Sequence, residues 1–192
     1  MSSSPINFRK ARFVTSAPDL KKRPRLELPA IMMVGRSNVG KSTLINAVLG
    51  QKIAFSSKKA GKTKLLNYFE VDGKFYLVDS PGYGSTIYAN IDTINFAKMM
   101  EDYVKEPSLK AICLLLDLRR DLGKDDESFI RYLVSTNVPL IVILTKCDQM
   151  NQKEKHQARL RAEKMGLTRY LESDLSSAAT EKIRNAIASY GK

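Results

Sequence analysis

One glycine-rich segment of the chain has the residue types and spacing of a phosphate-binding loop. Residues 35–42 read Gly-Arg-Ser-Asn-Val-Gly-Lys-Ser and fit the pattern G-x-x-x-x-G-K-S. The apolar run 30–34 precedes this segment and the helical pattern 43–49 follows it. In this order of strand, loop and helix, backbone N–H groups and the positive end of the helix dipole point at a nucleotide's phosphates. The residues predicted to bind the nucleotide here are Gly35, Arg36, Ser37, Asn38, Val39, Gly40, Lys41, Ser42 and Thr43.

Two side chains of this loop and a second motif predict a bound Mg²⁺ ion. Lys41 would place its charge on the β- and γ-phosphates, and the Ser42 hydroxyl would coordinate Mg²⁺. Residues Asp79-Ser-Pro-Gly82 fit D-x-x-G at the end of a later apolar run. Asp79 would reach the Mg²⁺ shell through water, and the Gly82 N–H would approach the γ-phosphate. D-x-x-G alone is common in tight turns, so its weight comes from its place at a strand end downstream of the loop.

A third motif predicts that the base is guanine. Thr145-Lys146-Cys-Asp148 follows the apolar run 139–144 directly and fits [NT]-K-x-D. Guanine offers N1–H and N2–H₂ donors, and the Asp148 carboxylate can accept both, whereas adenine cannot present that pair. The aliphatic stem of Lys146 would lie along the ring. We therefore expect Asp148 to select the nucleotide.

Two weaker signals lie in loops. Ser176, Ser177 and Ala178 occur where a last loop would present N–H groups to the guanine O6, although serine-rich turns before helices are also common caps. The stretch Gly61-Lys62-Thr63 lies between the first helix and the second strand. Its threonine would complete Mg²⁺ coordination beside the γ-phosphate, or would be an ordinary loop residue. The candidate catalytic residues are then Lys41, Thr63 and Gly82.

The elements that must position these residues follow an α/β pattern. Apolar runs alternate with helical patterns after residue 30, which predicts a mostly parallel six-stranded sheet with helices on both faces. Asp72-Gly73 between the second and third runs is a hairpin signal, so one strand should be antiparallel. The predicted strands are 31–34, 65–71, 75–79, 111–117, 139–144 and, more weakly, 170–175. The predicted helices are 41–49, 93–105, 125–135, 152–165 and 180–190.

The chain carries a large surplus of positive charge. Among 192 residues, 32 Lys and Arg face 20 Asp and Glu, a formal net charge of +12. The positive residues gather in 9–25, 52–64 and 153–169. One such run is usually a solvated face, but three in one domain favour a polyanion such as RNA. Because no aromatic residues are interleaved for base stacking, contacts with the phosphate backbone are expected.

Composition also bears on the compartment. No apolar run is long enough to span a membrane, and no lipidation motif is present, so no membrane partner is expected. Cys113 and Cys147 lack metal-type spacing and are interpreted as buried reduced thiols, which favours a cytoplasmic protein. His156, the single histidine, is expected on the surface of a helix. A monomer is the default expectation.

The N-terminal segment permits two interpretations. Residues 1–18 are rich in Ser and Arg and contain no acidic residue, as in an organellar transit peptide. The preferred interpretation is a lead-in strand around residues 12–14. Residues 1–29 would then be a basic extension whose strand packs on a GTP-binding domain of residues 30–192.

Taken together, these motifs resemble the EngB family, a translation-factor-class group of P-loop GTPases. The matching segments are 35–42, 61–63, 67–71, 79–84 and 145–148, with 13–17 matching the family's N-terminal strand. The resemblance implies a Ras-like P-loop GTPase fold that binds GTP and GDP with Mg²⁺. It further implies a GTPase with a role in late assembly of the large ribosomal subunit and, in some members, a link to cell division.

The chain departs from the family pattern at two places. Ser80 replaces the usual leucine of Asp-Leu-Pro-Gly, a change expected to be harmless. Leu175-Ser-Ser177 continues into Ala-Ala-Thr without the family's glycine. This departure falls on the loop predicted to contact the guanine O6, next to the sixth predicted strand.

The residue after D-x-x-G bears on the rate of hydrolysis. Tyr83 stands where Ras-like GTPases have a glutamine that orients the attacking water. We therefore expect slow intrinsic turnover and an external helper. One candidate is K⁺ bound at Asn38, which would otherwise merely shape the loop. The other is ribosomal RNA or protein docking against the switch segments 51–64 and 80–92, which GTP and Mg²⁺ would order.

Three other functions compete with a ribosome-bound GTPase switch. A P-loop ATPase or nucleotide kinase is disfavoured by the motif at 145–148, and competition by ATP would decide. A Ras-type GTPase acting on membrane traffic is disfavoured by Tyr83 and by the missing lipidation motif. A switch that acts on the division machinery is the remaining alternative.

Overall fold

A seven-stranded sheet forms the centre of the molecule in the computed structural model, which describes residues 5–24, 27–55, 65–84, 89–117 and 119–191. The strands are β1 (Ala11–Ala17), β2 (Ala30–Gly35), β3 (Leu66–Val71), β4 (Phe75–Asp79), β5 (Leu109–Asp117), β6 (Leu140–Thr145) and β7 (Leu171–Glu172). Their spatial order is β1-β3-β4-β2-β5-β6-β7. The helices are α1 (Lys41–Leu49), α2 (Ala89–Tyr103), α3 (Lys124–Ser135), α4 (Gln152–Lys164) and α5 (Ser177–Ala188).

The sheet is mostly parallel. β3 runs antiparallel to both of its neighbours, β1 and β4, and the remaining pairs are parallel. The prediction of an α/β fold with one antiparallel strand is confirmed. The sheet has seven strands rather than the expected six because the lead-in segment, β1, pairs with β3 along its length and extends the sheet.

The helices cover both faces of the sheet, as expected. Helices α1 and α5 pack on one face through side chains such as Ile45 and Ile183. Helices α2, α3 and α4 pack on the other through side chains such as Tyr103, Leu133 and Ala158. The strands between them are apolar on both sides, since all six residues of β2 are buried. The carboxyl ends of the parallel strands therefore meet at one edge, where ligands bind in sheets of this type.

Local capping explains where some elements begin and end. The Ser176 Oγ accepts a hydrogen bond from the Ala179 N–H, which starts α5 three residues before the periodic pattern predicts. β7 has only two residues, and the Ser173 N–H that follows it still donates to the Leu144 carbonyl oxygen of β6 at 2.8 Å. The described part of the chain contains no helix with the length and apolar character needed to cross a membrane.

Both cysteines are buried free thiols. Cys113 lies within β5, and burial raises its pKa to about 12. Burial raises the pKa of Cys147 to about 11. Since the thiolate is the reactive form of cysteine, both side chains are chemically inert packing groups. His156 is exposed on α4, as expected.

Candidate nucleotide-binding site

The predicted phosphate loop connects the end of β2 to the start of α1. A side-chain Cβ on Gly35 would lie 2.8 Å from Val39 Cγ1 and 3.1 Å from the Leu115 carbonyl oxygen, so the loop closes tightly over β5. Asn38 (φ 66°) and Gly40 (φ 99°) both take left-handed backbone conformations. Gly40 caps α1 from this conformation, which glycine adopts without steric cost. The first N–H groups of α1, which have no partner within the helix, lie beside the loop.

Lys41 and Asp79 come together from two separate motifs. Lys41 begins α1, and Asp79 ends β4, which pairs with β2. The Lys41 Nζ lies 2.5 Å from Asp79 Oδ1, and the two side chains are 12% and 6% exposed. A lysine ammonium has three N–H donors, so two remain for phosphate oxygens. Ser42 follows Lys41 in the first turn of α1, and its hydroxyl and the Asp79 carboxylate are the oxygen ligands that Mg²⁺ prefers.

The D-x-x-G segment is hydrogen-bonded to the phosphate loop. The Ser37 N–H donates to the Tyr83 carbonyl oxygen at 2.9 Å, and the Tyr83 N–H donates to the Gly35 carbonyl oxygen at 3.2 Å. Between these bonds, a Cβ on Gly82 would lie 2.9 Å from Ser37 Cα. Because backbone atoms cannot move aside easily, only glycine fits at position 82.

The ring of Tyr83 packs in an aromatic cluster. Its ring centroid is 4.7 Å from that of Phe129 on α3 and 5.8 Å from that of Phe96 on α2. The side chain is 9% exposed, and its hydroxyl is buried without a hydrogen-bond partner among the described residues. Burial, and then the nearby Asp126 carboxylate, raise the pKa of Tyr83 well above its usual value. The Tyr83 side chain is thus a packing group between the phosphate loop and helices α2 and α3.

The predicted guanine motif lies beside the phosphate loop. Thr145 ends β6, and its hydroxyl donates to the Val39 carbonyl oxygen at 2.9 Å. The Lys146 ammonium donates to the Asn38 carbonyl oxygen at 2.6 Å. Asp148 is exposed in the short helical turn Cys147–Gln149 that follows. The motif thus holds the loop through two residues and leaves the Asp148 carboxylate open to a ligand.

In the last predicted loop, one backbone N–H group is already hydrogen-bonded and two others lie in the first turn of a helix. The Ser176 N–H already donates to Asp174 Oδ1 at 2.9 Å. Ser177 and Ala178 are exposed in the first turn of α5, where backbone N–H groups lack partners within the helix. Leu175 adopts a left-handed conformation (φ 63°), and the Ala-Ala-Thr segment that lacks the family's glycine forms the first turn of α5. Ser177 and Ala178 are therefore the better candidates for the guanine O6 contact.

Sequence reasoning missed a buried carboxylate at the same edge. Asp117 ends β5 and accepts hydrogen bonds from Arg119 and from the Lys146 ammonium, the latter at 2.8 Å. Burial alone would raise the pKa of Asp117, but these hydrogen bonds outweigh it and lower the pKa to about 2. Its position at a strand end, like that of Asp79 and Thr145, was the available signal.

Asp126 is a second carboxylate that sequence reasoning missed, and it holds the phosphate loop through Arg36. The Arg36 guanidinium lies 2.9 Å from Asp126 Oδ2, and the Asp126 side chain is 3% exposed. The same carboxylate oxygen accepts from the Gly123 N–H at 3.0 Å, where α3 begins. Arg36 therefore ties the phosphate loop to α3, which also carries Phe129.

Some predicted residues lie outside the described part of the chain. Gly61, Lys62 and Thr63 belong to the undescribed range 56–64. The predicted switch segments 51–64 and 80–92 are described only at residues 51–55, 80–84 and 89–92. The roles proposed for these residues stay predictions from the sequence.

The fold and the site together define a P-loop GTPase. A family described as 50S ribosome-binding GTPase matches residues 30–146. A curated relative from Mycoplasma capricolum, a probable GTP-binding protein EngB, is 42% identical over 153 residues, which cover 77% of this chain and 76% of the relative. Another EngB, from Streptococcus equi subsp. equi, is 38% identical over 160 residues, 81% of this chain and 80% of the relative. The chain belongs to the EngB family of GTP-binding proteins.

A solved structure shows the same fold. It is Era in complex with MgGDPNP and nucleotides 1506–1542 of 16S ribosomal RNA, which aligns with a TM-score of 0.62 at 22% identity. The alignment covers 85% of this chain and 56% of the Era chain. Membership of the EngB family makes this chain a GTPase that binds GTP and GDP and acts as a switch between them.

Proposed function

We propose that this GTPase switch binds the large ribosomal subunit and assists its late assembly. The observation that carries the proposal is the match, over residues 30–146, to a family described as ribosome-binding. The net charge of +12 supports it, because a basic surface attracts RNA phosphates. Era, which shares the fold over 56% of its chain, has been solved in complex with nucleotides of 16S ribosomal RNA. The alternative is a switch with another partner, such as the division machinery or a membrane-traffic component.

Ion pairs narrow down which basic residues are available to RNA. In the N-terminal cluster, Arg12 pairs with Glu70 at 2.8 Å and Arg23 with Glu106 at 2.7 Å. In the C-terminal cluster, Arg159 pairs with Glu172 at 2.6 Å. The exposed basic residues of these clusters that have no acidic partner within the described ranges are Arg9, Lys21, Lys22, Lys153, Lys164 and Arg169. These six side chains are the best candidates for phosphate contacts.

We infer the following roles for the nucleotide site. The phosphate loop and Lys41 hold the β- and γ-phosphates, and Asp148 selects guanine with Lys146 along the ring. Ser42, Thr63 and, through water, Asp79 would hold Mg²⁺, which would supply positive charge to offset the charge that develops on the phosphates. Gly82 senses the γ-phosphate through its N–H, and Ser177 and Ala178 contact the guanine O6.

Slow unaided hydrolysis is supported by the buried position of Tyr83. A side chain that is 9% exposed among aromatic rings supplies no group to the attacking water. K⁺ at Asn38 is a candidate helper, since Asn38 is exposed in the phosphate loop. GTP hydrolysis compared in K⁺ and Na⁺ buffers, for wild type and Asn38→Ala, tests this role. A K⁺ stimulation that survives the substitution would exclude Asn38 as the ligand.

Co-sedimentation with purified large ribosomal subunits tests the main proposal. Binding with a non-hydrolysable GTP analogue should exceed binding with GDP and should persist at raised salt. Two charge-reversed proteins, one with Lys21→Glu and Lys22→Glu and one with Lys153→Glu and Lys164→Glu, carry the same net charge. If one basic cluster forms the interface, only its variant loses the nucleotide-dependent binding. Equal binding with both nucleotides that vanishes with salt would contradict the proposal and leave a nonspecific polyanion surface.

A further inference from the structure

Asp117 joins two loops that the sequence motifs treat as separate. Its carboxylate is 8% exposed at the end of β5, the central element between the phosphate loop and the guanine motif. Oδ2 accepts from the Lys146 ammonium at 2.8 Å. The Arg119 guanidinium binds both oxygens, with Nε 3.0 Å from Oδ1 and Nη2 2.9 Å from Oδ2. Asp117 is thus bonded to two cations at once.

Each of these cations reaches a further part of the nucleotide site. Lys146 extends to the Asn38 carbonyl oxygen at 2.6 Å and so contacts the phosphate loop. Arg119 donates through Nη1 to Gln149 Oε1 at 2.5 Å. Gln149 ends the helical turn that carries Asp148. One buried carboxylate therefore fixes both the phosphate loop and the turn that selects the base.

Physical chemistry explains why such an anchor matters. Lysine has a flexible four-carbon stem with a single point charge, and holding it in one conformation costs side-chain entropy. Arginine presents a rigid planar fork that matches a carboxylate in two bonds and transmits a fixed orientation. A carboxylate that accepts from both therefore sets the direction of the Lys146 stem and the position of the Asp148 turn before the base arrives.

We propose that Asp117 is a positioning residue for guanine recognition, acting through Lys146 and through Arg119. This inference rests on the proposed roles of Lys146 and Asp148 in binding the base. Inosine diphosphate lacks the 2-amino group of guanine, so Asp148 can accept one hydrogen bond from it rather than two. The ratio of the Kd values for IDP and GDP therefore reports how well Asp148 is aimed.

The test measures GDP and IDP binding by calorimetry for wild type, Asp117→Asn and Arg119→Ala. Asp117→Asn should weaken GDP binding on the order of tenfold or more and bring the IDP to GDP ratio toward one. Partial unfolding would lower the active fraction for both nucleotides alike and leave that ratio unchanged. An unchanged ratio in both variants would overturn the proposal.

Arg120→Ala is the matched control. The Arg120 guanidinium is 4.0 Å from the same carboxylate, and the side chain is 58% exposed. The substitution therefore removes the same charge as Arg119→Ala but breaks no side-chain hydrogen bond to Asp117. The Arg120→Ala ratio should stay within about twofold of wild type, as expected for an exposed ion pair. If Asp117→Asn does not fold, the comparison of Arg119→Ala with Arg120→Ala tests the proposal. Equal changes of the IDP to GDP ratio in these two variants would overturn it. Asp148→Ala tests the proposed role of Asp148 separately from that of Asp117. An unchanged ratio of the IDP and GDP Kd values in that variant would show that Asp148 does not bind the base.

Discussion

The Nζ of Lys41 lies 2.5 Å from Oδ1 of Asp79, and both side chains are almost completely buried. The lysine that is expected to bind phosphate therefore shares a contact with the carboxylate that is expected to bind the Mg²⁺ shell. Phosphate oxygens and Mg²⁺ must compete with this ion pair, or reorganise it, when they bind. The two halves of the site are coupled through one short contact.

We predict that Asp79→Asn separates GDP binding from its dependence on Mg²⁺. Without Mg²⁺, GDP affinity should match or exceed that of wild type, because the Lys41 charge is no longer neutralised by a carboxylate. The increase in affinity that Mg²⁺ gives the wild type should be lost. Titration of GDP with and without a chelator measures both effects.

Asp72→Asn provides the control for Asp79→Asn. Asp72 follows β3 in the β3–β4 hairpin, outside the nucleotide site, and its substitution removes the same charge. Mg²⁺ should enhance GDP binding normally in this variant. Full Mg²⁺ enhancement in Asp79→Asn as well would show that the carboxylate does not act on the metal.

Asp148→Asn should change the preferred base from guanine to xanthine. The amide offers donors where the carboxylate accepted hydrogen bonds, and xanthine has a carbonyl oxygen in place of the 2-amino group. Loss of two charge-assisted bonds should weaken GDP binding about a hundredfold or more. Competition between GDP and xanthosine diphosphate measures the exchange. Asp121→Asn, whose carboxylate is 88% exposed, should leave the preference as it is.

Tyr83→Phe should leave unaided GTP hydrolysis unchanged within about twofold, because the buried hydroxyl belongs to a ring packed against Phe96 and Phe129. Removing an unpartnered buried hydroxyl should leave the free energy of unfolding unchanged or raise it by about 1 kcal/mol. Single-turnover hydrolysis and urea unfolding measure the two effects. A tenfold slower reaction would show that the hydroxyl reaches the reacting atoms.

Tyr103→Phe is the matched comparison for stability. Unlike the Tyr83 hydroxyl, the buried Tyr103 hydroxyl has a hydrogen-bond partner, because it donates to the Tyr68 hydroxyl at 3.1 Å. Its loss leaves Tyr68 without that partner and should cost about 1–3 kcal/mol. The two tyrosines should therefore respond to the same substitution with different signs.

The contribution of Asp117 to stability should disappear in acid. Its pKa in the folded protein is about 2, against an ordinary value of 3.8. A lowered pKa stabilises the fold above the ordinary value, and the effect is lost as the pH falls through the folded value. Wild type should exceed Asp117→Asn in free energy of unfolding by about 2 kcal/mol near neutral pH. In urea titrations the gap should shrink below about pH 4, and a constant gap would contradict the assignment.

The sequence was most informative where the chemistry of a ligand restricts residue type. Phosphate binding demands glycines, a lysine and a helix start at fixed spacing, and Gly35, Lys41 and Gly82 lie where that requirement puts them. Asp79 and Thr145 followed from strand ends at a common sheet edge. These positions are specified locally, so a pattern of a few residues was sufficient.

The positions of Asp117 and Asp126 in the site could not be predicted from the sequence, because their partners are distant in the chain. Lys146 is 29 residues from Asp117, and Arg36 is 90 residues from Asp126. Neither pair has a spacing that marks it, and only the sheet order brings the partners together. The burial of Tyr83 was also hidden, since it depends on rings from α2 and α3.

The strand order has a consequence for the chain as it is synthesised. β1 emerges early, yet its partner β3 begins only at Leu66. β2 lies between β4 and β5, so both of its neighbours are present only after Asp117 has been added. Such long-range pairing slows folding compared with local contacts. The phosphate loop, residues 35–42, is thus synthesised well before β5, the last of its supporting strands, ends at Asp117.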